Sequence, residues 1–220
     1  MRTLMHGAAV LLAAIVIPGA AESHDLARLL DPGDKAWRQP APARVVVRLD
    51  TSRGDIRLEV TRASAPLAAD RFYNLARHGF YDDARFFRVI TGRWAQFGIP
   101  AEPKVARTWR HLMLADEARI ESNVRGAVAF AWAVPNGRST QVFINLRDNS
   151  ETLDEQGFAP FARVIEGMEA ADALYDGYGE QSGGGIRGGR QAPLFEFGNT
   201  YLMRHYARLD YIRRALIETP

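Results

Sequence analysis

The sequence predicts a mainly β protein, a closed antiparallel barrel covered by two helices. Short β-branched or alternating segments recur along the chain with turn residues between them. Helical periodicity is confined to two places, whereas a parallel sheet built from βαβ crossovers would need a helix after nearly every strand. Hydrophobic residues make up 47% and charged residues 25% of the 220 residues, which suits one domain with a sizeable core.

Arg44 to Asp50 is β-branched and alternating, Thr51 to Asp55 is a turn, and Ile56 to Val60 alternates again, which is a hairpin pattern. Pro66 then stands where a helix begins and Gly79 where it ends, with Ala68, Phe72, Leu75 and Ala76 on one face. Ala84 to Ile90 and Trp94 to Ile99 read as strands around Thr91-Gly92. Gly126 to Ala133, Gln141 to Leu146 and Phe161 to Ile165 read as three more. Met168, Ala171 and Tyr175 mark a second helix after Gly167, and Leu209 to Glu218 reads as the closing strand.

Residues 1–21 have the make-up of a secretory signal. Arg2 is followed by the apolar stretch Ala8 to Ile17 and by the small residues Gly19-Ala20-Ala21. A bilayer span takes about 20 apolar residues, and Pro18, Glu22 and Asp25 end this stretch well before that. The expected product is a soluble periplasmic protein without a membrane anchor. Residues 22–43, with Pro32, Pro40 and Pro42, read as an arm, either ordered or loose, ahead of a domain over 44–220.

Lys and Arg total 28 against 26 Asp and Glu, and no run of like charge stands out, so a nucleic-acid partner is not expected. The absence of Cys removes disulfides, thiolate metal sites and thiol nucleophiles together. There is no G-x-S-x-G, no H-E-x-x-H and no P-loop ending, so the residues show no serine hydrolase, metal centre or phosphate cradle. His24, His78, His111 and His205 are dispersed and read as surface or structural residues. The run Gly183 to Gly189 reads as a flexible loop, and Asp116, Glu117, Asp148 and Asp154 as acids in solvated turns.

One constellation remains. It comprises Phe86-Phe87-Arg88-Val89-Ile90, Gly92, Gln96-Phe97-Gly98, Ser122-Asn123, Arg125-Gly126, Phe130-Ala131, Gln141 to Asn145 and Leu153-Asp154. In order and spacing it resembles the cyclophilin family of peptidyl-prolyl isomerases over about residues 44 to 218, and most of all an exported bacterial branch with an extended tail around Gly198 to Leu202. The resemblance implies an eight-stranded barrel capped by two helices, without cofactor, and proline-containing polypeptides as substrates; a monomer is expected. Arg88 matches the family's catalytic arginine, Gln96 the glutamine that holds substrate backbone, and Phe143 and Leu153 two walls of the proline pocket.

The departures are concentrated at that pocket. Arg93 and Trp94 stand at the family's usual Phe and Met, Phe87 beside the catalytic Arg at its His, and Trp132 near Ala131 at its Asn. Thr152 replaces a Trp and Phe158 a His. These changes imply a remodelled site, in which Arg93 lays its stem across the floor or meets an acidic substrate. They leave two functions open: an isomerase for exported proteins, or a peptide-binding module or chaperone with weak or lost activity.

Overall fold

The computed structural model describes residues 26–185 and 190–218. The signal read over 1–21, the first residues of the arm and the end of the Gly-rich run lie outside the described residues. Eight strands form one antiparallel sheet: β1 (Arg44–Thr51), β2 (Gly54–Thr61), β3 (Arg88–Ile90), β4 (Trp94–Phe97), β5 (Ala127–Phe130), β6 (Val142–Asn145), β7 (Pro160–Glu166) and β8 (Ile212–Glu218). Their order is β3-β4-β6-β5-β7-β2-β1-β8. The expected full closure is not seen, because β3 and β8 do not pair as strands. The sheet's two ends meet just before those strands, at the isolated bridge between Arg85 and Tyr211. Phe86 N–H donates to Asp210 O, and Ile212 N–H to Ala84 O, at the same place.

Alternation sets the sheet's inner face. Val45, Val47 and Leu49 of β1 face Val60, Leu58 and Ile56 of β2, and all six are buried in the main core. The outward pair Arg48 and Arg57 would repel, and the carboxylates of Asp55, Glu166 and Glu218 lie between and beside them.

Helix α1 (Pro66–Arg77) buries Ala68, Phe72, Leu75 and Ala76 as its periodicity predicts. Phe72 lies 5.2 Å from Tyr81 and 5.0 Å from Phe161, ring centre to ring centre. Its cap residue, Ala65, has no side chain to satisfy the first turn. Glu117 supplies the missing acceptors from a distant loop, taking Leu67 N–H at 2.5 Å and Ala68 N–H at 3.0 Å. Arg138, with its side chain 3% exposed, closes on Glu117, 9% exposed, at 3.0 Å. Glu117 is therefore a buried fastener, not the solvated turn residue expected from sequence.

Beyond the expected pair, α1 and α4 (Met168–Asp172), the described residues form α2 (Pro103–Trp109), the single turn α3 (Ser150–Leu153) and α5 (Ala192–His205). With seven residues, α2 is too short for periodicity to show. α5 is broken at Gly198, whose φ of 54° and ψ of −140° are not helical. A Cβ there would sit 2.3 Å from Ala101 O, so the close approach of α5 to the segment before α2 requires glycine. Together they enclose a second, smaller core of Phe87, Ile99, Ala106, Leu194, Phe195, Leu202 and Leu209.

The described part of the arm is anchored to the domain at a few points. Leu29 is buried and its carbonyl accepts Trp109 Nε1–H at 2.7 Å. Asn74 Nδ2 donates to Trp37 O and Gln39 O, tying the arm to α1.

Candidate active site

The strand register brings distant residues into one row across the sheet. Arg88 of β3 is directly opposite Gln96 of β4, Gln96 is opposite Phe143 of β6, and Phe143 is opposite Ala129 of β5. Their neighbours Val89, Ala95, Phe97, Val142, Ile144 and Val128 point the other way, into the main core. Arg88, Gln96 and Phe143 thus share the outer face, at the edge of a cleft of about 260 Å³.

All the residues named from sequence line this cleft: Arg88, Arg93, Trp94, Gln96, Ala131, Trp132, Phe143, Leu153 and Phe158. Its apolar part is a separate cluster in which Ala129, Ala131, Phe143, Leu153 and Phe158 pack with Trp94 and Trp132. Trp132 stacks on Phe158 at 4.8 Å and 28°, and Phe143 meets Phe158 edge-on at 5.6 Å. Thr152, read from sequence as a departure at the pocket, also lines the cleft, as do Asn149, Gln156 and Gly185, which were not singled out there. Asn149 holds the turn before β4 from inside, donating through Nδ2 to Arg93 O at 2.8 Å.

The wall that carries Leu153 and Phe158 is pinned by Asp154. Its carboxylate accepts the Ser122 hydroxyl at 2.5 Å and both N–H groups of Asn123, at 2.9 and 2.8 Å. Asn123 Nδ2 also donates to Phe158 O at 2.8 Å. Partial burial pushes the Asp154 carboxyl upward, but these bonds and the charge of Arg119 outweigh it and hold the group below the usual carboxylate range. Asp154, like Glu117, is structural and not a free turn acid.

Arg88 is held on three sides. Nε and Nη2 donate to the two oxygens of Glu180 at 2.9 and 2.6 Å, and Nη1 donates to Gln96 Oε1 at 3.0 Å. Gln96 is one link in a run of buried amides. Its Nε2 donates to Gln141 Oε1 at 2.8 Å, and Gln141 Nε2 donates to Gln191 Oε1 at 2.8 Å. Gln191, just before α5, passes the run on to Gly184 O at 3.2 Å. Hydrogen bonding to Arg88 dominates the behaviour of Glu180 and holds its carboxyl below the ordinary value, against partial desolvation. The pair is therefore intact at neutral pH and is lost only as pH falls below the usual carboxylate range.

Trp94 lies against both cleft arginines. The Arg93 Cζ is 4.6 Å and the Arg88 Cζ 4.9 Å from its ring centroid. Arg93 is exposed and, among the described residues, forms no ion pair. Phe87 points away from the cleft into the second core, which accounts for an apolar residue beside Arg88. The described part of the Gly-rich run is packed, not loose: Ser182 Oγ donates to Phe87 O at 2.7 Å, and residues 182–184 are buried.

The eight-stranded fold that carries this cleft has counterparts among known proteins. Crystal structures of a cyclophilin-type peptidyl-prolyl cis-trans isomerase from Cryptosporidium parvum and of the cyclophilin AquaCyp293 from Hirschia baltica share the fold. Their TM-scores are 0.58 and 0.55 at 19% and 16% identity, covering 80% and 81% of this chain and 99% and 75% of theirs. In sequence, the chain is 32% identical over 137 residues to peptidyl-prolyl cis-trans isomerase B of Escherichia coli K12, covering 59% of this chain and 83% of that one. It is 34% identical over 138 residues to the isomerase cyp18 of Streptomyces antibioticus, covering 58% and 81%. Residues 46–187 match the profile described as cyclophilin type peptidyl-prolyl cis-trans isomerase/CLD, a stretch that contains the whole Arg88–Gln96–Phe143 row and the cleft around it. The chain therefore belongs to the cyclophilin-type peptidyl-prolyl cis-trans isomerase family.

Proposed function

We propose that this cleft rotates X-Pro peptide bonds in exported proteins, with Arg88 as the group that favours the twisted amide. The observation that carries the reading is the juxtaposition of Arg88 with the apolar cluster of Phe143, Leu153, Phe158 and Ala131. Rotation must overcome the resonance of the amide, a barrier of about 18 to 20 kcal/mol. No bond to the substrate is made or broken, so the chain needs no cofactor and no nucleophile. A proline ring seated on the aromatic walls brings its imide nitrogen to the rim. As that nitrogen becomes pyramidal its lone pair accepts a hydrogen bond that the planar amide cannot, and a donor there lowers the barrier.

Arg88 has such donors to spare. A guanidinium carries five N–H groups, and the bonds to Glu180 and Gln96 use three, leaving one on each terminal nitrogen. Gln96 braces Arg88 and keeps one N–H for substrate backbone. Two-dimensional exchange spectroscopy on an X-Pro peptide tests the reading. Cross-peaks between cis and trans forms should appear at millisecond mixing times with catalytic amounts of protein, and binding without exchange would favour the peptide-binding module instead.

Arg93 adds selectivity. Its unpaired charge at the cleft mouth should favour peptides with Asp or Glu next to the proline. In Arg93→Ala that preference should fall by about 1 kcal/mol at low salt and vanish at high salt. Titrating acidic and neutral peptides against both forms at two salt concentrations measures it; equal affinities throughout would remove Arg93 from the site.

The export reading rests on the pattern of residues 1–21. N-terminal sequencing of the protein recovered from the periplasm should begin near Glu22, and recovery of a membrane-bound form still carrying Met1 would sink the signal assignment.

A further inference from the structure

The loop between α4 and α5 places an anion on Arg88. Glu180 receives Nε–H and one Nη2–H in a two-pronged fork, and its Oε2 also accepts the N–H of Gly185 at 3.0 Å. The loop is itself anchored, by Ser182 to Phe87 O and by Gly184 O to Gln191. Gly185 lies so close that a Cβ on it would stand 3.3 Å from the Arg88 Cζ. The guanidinium therefore has its plane and its rotation about Cδ–Nε set by the loop, while Gln96 alone could hold only one corner of it.

We infer that Glu180 is a positioning residue for isomerisation: it fixes the Arg88 fork so that the remaining N–H of each terminal nitrogen meets the substrate imide. This rests on the isomerase reading above and adds to it a residue that acts through Arg88 without touching substrate. An arginine side chain left to its rotamers spends most of its time misaligned, and misplacement on the scale of 1 Å costs roughly 100-fold in rate. Binding, which depends on the apolar walls, does not need that alignment.

The test is a cycle of wild type, Glu180→Ala, Arg88→Ala and the double variant, with Glu180→Gln as the isosteric control that keeps the loop filled. Glu180→Ala should lower kcat roughly 10- to 100-fold while peptide affinity changes less than about twofold, and Glu180→Gln should fall between it and wild type. In the Arg88→Ala background the Glu180→Ala change should have no further effect. The Arg88 Nε–H resonance, identified by its loss in Arg88→Ala, gives a reading independent of turnover: slow to exchange in wild type and fast in Glu180→Ala. An unchanged or raised kcat, an equal loss in the Arg88→Ala background, or an unchanged resonance overturns the inference while leaving the isomerase intact. A wild type that turns over no X-Pro peptide overturns the isomerase reading and this role with it.

Discussion

Arg88→Ala should lower kcat/KM for an X-Pro peptide by about 3 kcal/mol, on the order of a hundredfold or more, which is the scale of losing one preorganised donor to a transition state. The loss should fall on kcat, because the walls made by Phe143, Leu153 and Phe158 are untouched and go on binding proline. Arg88→Lys should not rescue it. A lysine ammonium can replace the charge but cannot bridge Glu180, Gln96 and the substrate at once, since those bonds leave from three different nitrogens of one plane. Exchange spectroscopy for turnover and a titration for affinity separate the two quantities. Equal turnover by the alanine form would refute the role of Arg88.

Glu117→Ala should produce the largest loss of stability, about 3 kcal/mol, because it removes the close carboxylate partner of the buried Arg138 and leaves it only Ala115 O and the half-exposed Asp116 at 3.6 Å. It also strips the first turn of α1 of the acceptors for Leu67 and Ala68 N–H. For a domain of this size that corresponds to a fall in Tm of roughly 10 °C. Glu117→Gln, which keeps one acceptor for the helix, should lose less. Replacing both partners, Glu117→Leu with Arg138→Met, should recover much of the loss, because then no buried charge is left alone. Urea unfolding followed by circular dichroism measures all four; a Glu117→Ala midpoint equal to wild type would mean that Arg138 finds water or another partner.

The parts of the molecule that could be read from sequence are those whose signal is local. β1, β2 and α1 declare themselves because residues two, three or four apart share a face, and their buried sets are the expected ones. The cleft was legible for a related reason. Arg88, Arg93, Trp94 and Gln96 belong to one β3–β4 hairpin, and the remaining named residues fall on β6, on α3, just after β5 and just before β7, at family spacing. The misses are long-range or too short to show a period. Glu180 meets Arg88 across 92 positions and Glu117 meets Leu67 across 50, so nothing near either acid in the chain distinguishes it from a turn residue. α5 was hidden by Gly198, which breaks the helix that its flanking residues would otherwise announce. Ala84 to Phe87 read as strand, but Phe86 and Phe87 enter different cores, Arg85 makes only an isolated bridge to Tyr211, and the ladder begins at Arg88.

The amide run from Gln191 to Gln96 has a sense of direction, and its two ends set it. Each amide could in principle be turned end for end, exchanging its oxygen for its nitrogen, and a closed ring of amides would have no preference between the two senses. Here one end is a cation that can only donate. Gln96 must therefore present its oxygen to Arg88 and its nitrogen to Gln141, Gln141 must answer with oxygen toward Gln96 and nitrogen toward Gln191, and Gln191 is left with a nitrogen shared between Gln141 Oε1 and the carbonyl of Gly184, each at 3.2 Å. Reversing one member would set two oxygens or two N–H groups face to face in a buried place, so the three turn together or not at all. The polarity of that whole buried thread, from the cleft to the foot of α5, is written at its two ends, by a cation that can only donate and a carbonyl that can only accept.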